Sequence, residues 1–303
     1  MRMLVSDGAE IIADIKHSGT PLRSVLALLL LGVVAVVCAS LGMWQLNRAA
    51  ERDALHDAIE RGRLQAPISL SGATRPADLI PWRTASSQGY WSHPHTVLLE
   101  NRNLDGRPGY WVATPLLLAS SASGSGQADS NPAVLVLRGW IERDMQAGSV
   151  SPAILHEEGL VQVQGELHTH VPRIFELWDW AGGKATHLPG ALPLESGALP
   201  RVQNLDLTDY SQATGLRMLP IVLAQTQDST VIASAGQSAG VSTLAGTPGD
   251  AASLQREWPG PSLDSDQNRG YALQWFSFSV IAVLAALYIA RRLLMRGLAR
   301  SKQ

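Results

Sequence analysis

Two long apolar runs bracket a polar middle. Residues 24–43 carry no charge and are rich in Leu, Val and Ala; at about 1.5 Å per residue they extend ~30 Å, enough to cross a hydrocarbon core. Residues 273–290 give ~27 Å on the same count, and Tyr271 lengthens them. Helical character continues from Trp44 to about Gly62, where Glu51, Arg52, Asp53, Asp57, Glu60 and Arg61 mark a helix that has left the membrane. Pro67 and the turn residues Ser69-Leu70-Ser71-Gly72 end it. Strand-like runs follow at residues 96–100, 110–118, 133–141, 160–168 and 219–224, with the apolar–polar alternation of a half-buried strand clearest at Val161-Gln162-Val163-Gln164. Residues 110–118 and 133–141 are expected to pair. The Ser/Gly/Ala-rich segment 119–132 between them reads as a mobile connection without chemistry. A short helix is expected over 208–214, stopped by Gly215, and residues 229–252 read as a poorly ordered excursion.

The pattern predicts a membrane α + β fold. Two transmembrane helices bracket an external, mostly antiparallel β domain with a short helix. The expected organisation is a cytoplasmic N-terminal segment (1–23), a transmembrane helix (24–43), its helical extension (44–63), an external β-rich domain (64–270), a second transmembrane helix (271–290) and a basic cytoplasmic tail (291–303).

Charge orients this hairpin. Arg291, Arg292, Arg296, Arg300 and Lys302 follow the second run with no acidic residue among them, which keeps the tail cytoplasmic and places the middle outside. The first run reads as an uncleaved anchor: it is long for a signal sequence, and Asp7, Glu10 and Asp14 do not suit a mitochondrial presequence. Residues 47–270 hold 16 Lys and Arg against 23 Asp and Glu, a net of −7, which argues against nucleic acid as a partner. The one cysteine, Cys38, lies inside the first run, so cysteine pairs can build no disulfide or dithiol site within the chain.

Other chemistry is weakly supported. Gly236-Gln237-Ser238-Ala239-Gly240 matches the nucleophile-elbow pattern. That fold needs its histidine after the serine, however, and none follows His187. His93-x-His95 and His168-x-His170 would each place two imidazoles on one face of an extended strand, yet no cysteine accompanies them, and surface histidines at strand ends are the simpler reading. No catalytic residue and no metal site is expected.

The membrane-proximal aromatics carry more. Trp44 and Arg48 share a helix face at i and i+4, as do Tyr271 and Trp275. The two pairs stand at the same end of the two spans. Rings of this kind anchor helices at the headgroup level; together with a cation they would also suit a planar ligand, apolar in its ring and anionic at its edge.

Five ordered stretches resemble the Surfeit-locus family of cytochrome c oxidase assembly proteins: Gly42-Met43-Trp44-Gln45-Leu46-Asn47-Arg48, Gly109 with Thr114-Pro115-Leu116, Arg138-Gly139-Trp140, Asn204-Leu205-Asp206 with Tyr210 and Gly215, and Tyr271-Ala272-Leu273-Gln274-Trp275-Phe276. The resemblance implies a non-enzymatic factor of the bacterial inner membrane, with a periplasmic central domain, that assists haem a insertion into the oxidase catalytic subunit or its maturation. Implied partners are that subunit, haem a synthase and the lipid bilayer. Trp44, Arg48, Arg269, Tyr271 and Trp275 are the candidate haem pocket, with haem a held transiently. The family's candidate iron ligand stands three residues before the tyrosine, where this chain has Asn268, a poor axial ligand. The iron ligand is therefore unassigned. The alternative is a scaffold that stabilises an immature oxidase subunit without binding haem.

Overall fold

The computed structural model describes residues 20–119, 132–143, 157–174, 188–232 and 254–300. Ser238, residues 120–131, most of the expected excursion at 229–252, most of the N-terminal segment and the last residues of the basic tail lie outside this set. The chain divides into two compact units, residues 1–56 with 261–303, and residues 57–260.

The first unit is a helical hairpin. Helix α1, Thr20–Arg63, runs unbroken through the apolar stretch and its charged extension, and a second long helix, Asp266–Arg300, returns alongside it. Both are long and apolar enough to cross a membrane. Ala35, Cys38 and Gly42, then Ala49, are buried on α1, and Asn268, Ala272 and Ala282 on the returning helix, with Ser265 just before it. These spacings of three, four, seven and ten keep one narrow stripe of each helix facing the other. The seam is built of small side chains, which lets the backbones approach closely. A Cβ added at Gly42 would lie 2.8 Å from the Phe276 ring, and Ser279 Oγ donates across the interface to the Ala35 carbonyl at 2.8 Å. The large residues face outward: Leu26, Leu30, Val33, Leu273, Ile281, Leu284 and Leu287 are all exposed. That arrangement suits hydrocarbon as solvent.

The second unit is β-rich. Its strands are β1 (Ile68–Leu70), β2 (Thr84–Trp91), β3 (Val97–Leu104), β4 (Arg107–Leu118), β5 (Ala133–Glu142), β6 (Val161–His168), β7 (Arg201–Val202), β8 (Met218–Gln225) and β9 (Thr230–Val231). They form one sheet ordered β1-β2-β6-β8-β5-β4-β3-β7, with β9 on β6. The end of β2 also pairs with β4, Gly89 opposite Leu118, so β2, β6, β8, β5 and β4 close into a ring. Most pairings are antiparallel; β1–β2, β3–β7 and β5–β8 are parallel. The expected pairing of 110–118 with 133–141 is present, Trp111 opposite Trp140. Asp105 and Gly106 join β3 to β4 with φ 50 and 76, the two-residue turn that Asp-Gly favours because both positions need positive φ.

Leu116, Leu118, Val134, Val136, Val161, Val163, Ile221 and Leu223 fill one apolar cluster. Alternate residues of β4, β5 and β8 (Trp111, Ala113, Leu135, Leu137, Val222) form another with Tyr210 and Ala213. Those two come from the short helix Leu207–Thr214, which becomes α2, and the membrane-return helix Asp266–Arg300 is then α3. β4 and β5 are thus covered on both faces, which explains their continuous apolar runs.

Four sequence expectations are corrected. β2 was not anticipated: Ala85, Ser87 and Gly89 alternate inward, but such small residues leave little apolar signal. Residues 69–70 belong to β1 and not to a turn, because β2 offers them a parallel partner. His93-Pro94-His95 is a 3-10 turn rather than a strand, since Pro94 cannot donate to a sheet; His170 lies beyond the end of β6. At 229–252, the first residues include β9, ordered by its pairing with β6.

Candidate functional site

The membrane-proximal stretch of the hairpin bears all five candidate pocket residues. Trp44 is 58% exposed and Tyr271 45%, both turned off the seam, while Trp275 is half-buried with its ring edge-on to Phe278 at 6.1 Å. Arg48 pairs with Glu51 at 3.0 Å on the same helix. Arg269 is held by two carboxylates, Asp53 Oδ2 of α1 at 2.7 Å and Asp266 Oδ1 at 2.9 Å.

Beneath them lies a polar latch that sequence reasoning did not anticipate. Arg52 Nη1 donates to Asn268 Oδ1 at 3.1 Å and to the Asp264 carbonyl. Asn268 is 7% exposed, so its carboxamide has been withdrawn from water and given a charged donor, the stronger kind of hydrogen bond. Arg52 and Asp53 carried only a weak signal: charges in a helix extension usually mark a solvated face.

A haem needs an axial ligand and cations for its propionates. Asn268, committed to Arg52, supplies no ligand. Arg269 is engaged twice; Arg48 holds only an exposed pair, worth a few tenths of a kcal/mol, and would yield to a stronger anion. These residues, as placed, do not fit a resident haem.

The remaining motif residues build the β unit. Trp140 is 2% exposed and its indole N–H donates to the Arg102 carbonyl at 2.6 Å. Gly109 makes room for that ring: a Cβ there would lie 2.3 Å from it. Gly139, at φ +153, admits the Leu254–Gln255 backbone, and Gln255 exchanges two hydrogen bonds with Trp140. Asn204 clips Ile174 through both amide atoms, Oδ1 accepting at 2.7 Å and Nδ2 donating at 2.8 Å. Asp206 caps α2 by accepting from the Thr208 and Asp209 amides, and Gly215 ends the helix at φ 68. Tyr210 is fully buried and donates to the His95 carbonyl; burial pushes its phenol well above the usual range.

Two arginines of this unit are buried against tryptophan. Arg102 lies 4.3 Å from the Trp111 ring and burial lowers it to about 10. Arg138, 1% exposed, lies 4.5 Å from the Trp91 ring and pairs with Glu157 at 3.1 Å; burial lowers it, with Glu157 opposing. Glu157 also accepts from the Trp91 indole at 2.9 Å and from Ser229. Beside α2 a cleft of about 690 Å³ opens between His170, Arg173, Asp206, Met218 and Pro220.

A family model, that of the SURF1 family, matches residues 32–280. The chain belongs to the SURF1 family. No curated protein matches it. The matched span starts within α1 and ends within α3, so it covers the whole β unit and part of each hairpin helix. SURF1 proteins are known as assembly factors for cytochrome c oxidase. The two apolar helices accord with a membrane-associated SURF1 protein.

Proposed function

We propose that this SURF1 protein brings the catalytic subunit of cytochrome c oxidase to a form that accepts haem a, acting on it as a membrane scaffold and not as the haem carrier. The observation that carries this reading is the hairpin's inverted packing. Small residues, the Phe276 ring against Gly42 and the Arg52–Asn268 latch fill the seam, and the Leu and Val ridges with Trp44 and Tyr271 are left outward. Trp44, Tyr271 and the exposed Leu and Val ridges are available to lipid and to the helices of an immature subunit. The protein sits in the bacterial inner membrane with both termini cytoplasmic and the β unit periplasmic, as the cations after Ala290 favour. Haem a synthase joins the same assembly as the source of the cofactor.

The test is to purify the full chain from cells that make haem a and record its visible spectrum, while assaying oxidase assembly in Trp44→Ala and Trp275→Ala. The scaffold reading expects no haem a near equimolar amounts, the catalytic subunit co-purifying, and assembly impaired by at least one substitution. Equimolar haem a, lost on Trp275→Ala and strengthened by Asn268→His, would replace it with the haem-holding reading. Reporter fusions after Arg300 and at Gly124 should report opposite compartments.

A further inference from the structure

The opposite end of the hairpin bears a second site. A cleft of about 210 Å³ lies between the start of α1 and the end of α3, lined by Arg23, Ser24 and Ala27 from the first and Tyr288, Arg292 and Arg296 among the residues of the second. Tyr288, Arg292 and Arg296 follow one another at i, i+4 and i+8, so they form a single line down α3. Arg23 meets that line from the other helix. Among the described residues none of these three arginines has an ion pair, and no Asp or Glu occurs between Thr20 and Ala50 or between Tyr271 and Arg300. The wall below is apolar, from Ala27, Ile289 and Leu293.

We infer that this cleft binds the phosphate of an anionic phospholipid. Three features select that ligand. The three arginines that line the cleft carry the forked donors that match phosphate oxygens. The cleft is smaller than the pockets that enclose whole small-molecule ligands, so it takes a phosphate and leaves the rest of the molecule outside. Its level is that of the headgroups: Arg23 immediately precedes the uncharged run of α1, and Arg291-Arg292 immediately follow that of α3. Acyl chains would then lie along the exposed apolar ridges of Leu26, Leu30, Leu284 and Leu287. A general excess of cations on the cytoplasmic side would orient the hairpin without any cleft; the site differs in demanding particular arginines. The inference needs the hairpin to lie in a bilayer, which the reporter fusions test separately.

The test titrates the detergent-solubilised full chain with short-chain phosphatidylglycerol, and with phosphatidylcholine of the same chains, following the thermal midpoint, which a ligand of the folded state raises. Phosphatidylglycerol should raise the midpoint. Phosphatidylcholine has the same phosphate but a choline cation that the arginines repel, so it should raise it much less. An equal rise would overturn the demand for an anionic lipid. Arg292→Gln and, on the other helix, Arg23→Gln should each weaken the effect roughly tenfold, the size of one charge-assisted hydrogen bond. Arg291→Gln is the control, because it removes the same charge one residue away from a side chain that does not line the cleft. Equal weakening by Arg291→Gln would reduce the site to diffuse charge and overturn it. No weakening by Arg23→Gln would overturn the two-helix cleft, and an equal midpoint rise with inorganic phosphate would overturn the lipid as ligand.

Discussion

The hairpin and the β unit solve opposite packing problems with the same amino acids. In the β unit Trp140, Leu116, Leu135 and Leu223 are inside, and the outward positions of β6, Gln162, Gln164, Glu166 and His168, are polar. In the hairpin Ala35, Gly42, Ala49 and Ala272 are inside, and Leu and Val are outside. Water drives large apolar side chains inward by about 25 cal/mol per Å² removed from it. Hydrocarbon exerts no such drive, so helix association there depends on close backbone approach and on polar contacts across the seam. The same contrast governs the buried polar groups. Arg138 in the β unit is neutralised by Glu157 and stacked on Trp91; Asn268 in the hairpin is neutral and takes its bond from Arg52.

The largest test of this contrast is Trp140→Ala. Removing a fully buried indole should cost about 3–5 kcal/mol, read as a drop in the denaturant midpoint of the full chain. Trp44→Ala, which removes an exposed ring of the same kind, should leave that midpoint within about 0.5 kcal/mol of the parent. Equal losses from the two would erase the distinction between the regions.

Next in size is the buried pair. Glu157→Gln leaves the Arg138 guanidinium inside without a counter-charge and should cost about 1–3 kcal/mol. Arg138→Met, which removes the charge itself, should cost less, because an apolar group of similar reach needs no partner. The reverse order would mean that Arg138 is held chiefly by other groups.

On the hairpin side, Gly42→Val should destabilise helix packing by about 1–3 kcal/mol, since the added carbons meet the Phe276 ring. Val36→Leu, a larger side chain on the outward face, should be neutral in the same detergent unfolding assay. A neutral Gly42→Val would show that the seam is loose.

The smallest effect is electrostatic. Burial alone would raise the Glu166 carboxyl, but hydrogen bonds from His168 and from Arg63, the latter at 2.8 Å, outweigh it and hold the group below 4.5. A carboxyl lowered in the fold stabilises it above its unfolded value and loses that contribution as pH falls through its folded value. Stability should therefore be flat above about pH 5 and decline below it, less steeply in Glu166→Gln. Identical acid limbs for the two proteins would remove Glu166 from the account.

Much of the fold was legible before any tertiary contact was known. The strands β3 to β6 and β8 betray themselves by apolar residues at period two or in short continuous runs. α2 was legible as a short run ending at Gly215, a residue whose preference for the end of a helix is local. β2 was hidden because its inward positions, Ala85, Ser87 and Gly89, are small. Their burial depends on β4 and β6 closing over them. The candidate site was legible only as a set of residue types at a common level. Whether Trp44 and Tyr271 turn inward depends on which stripe of each helix forms the seam, and that is a property of the pair.

By itself the sequence determined the two long apolar helices, the order of most strands, the cluster of cations after the second helix and the five stretches that resemble the family. Each rests on composition, spacing or conformational preference within a few residues, so each can be read without a partner. Only the tertiary structure decided that the sheet closes into a ring, that Arg138 is buried on Trp91, that Arg52 claims Asn268, and that arginines 269 residues apart in sequence, Arg23 and Arg292, line one cleft. Those outcomes depend on burial and on hydrogen bonds between distant segments, whose free energy exists only once the chain has brought the groups together.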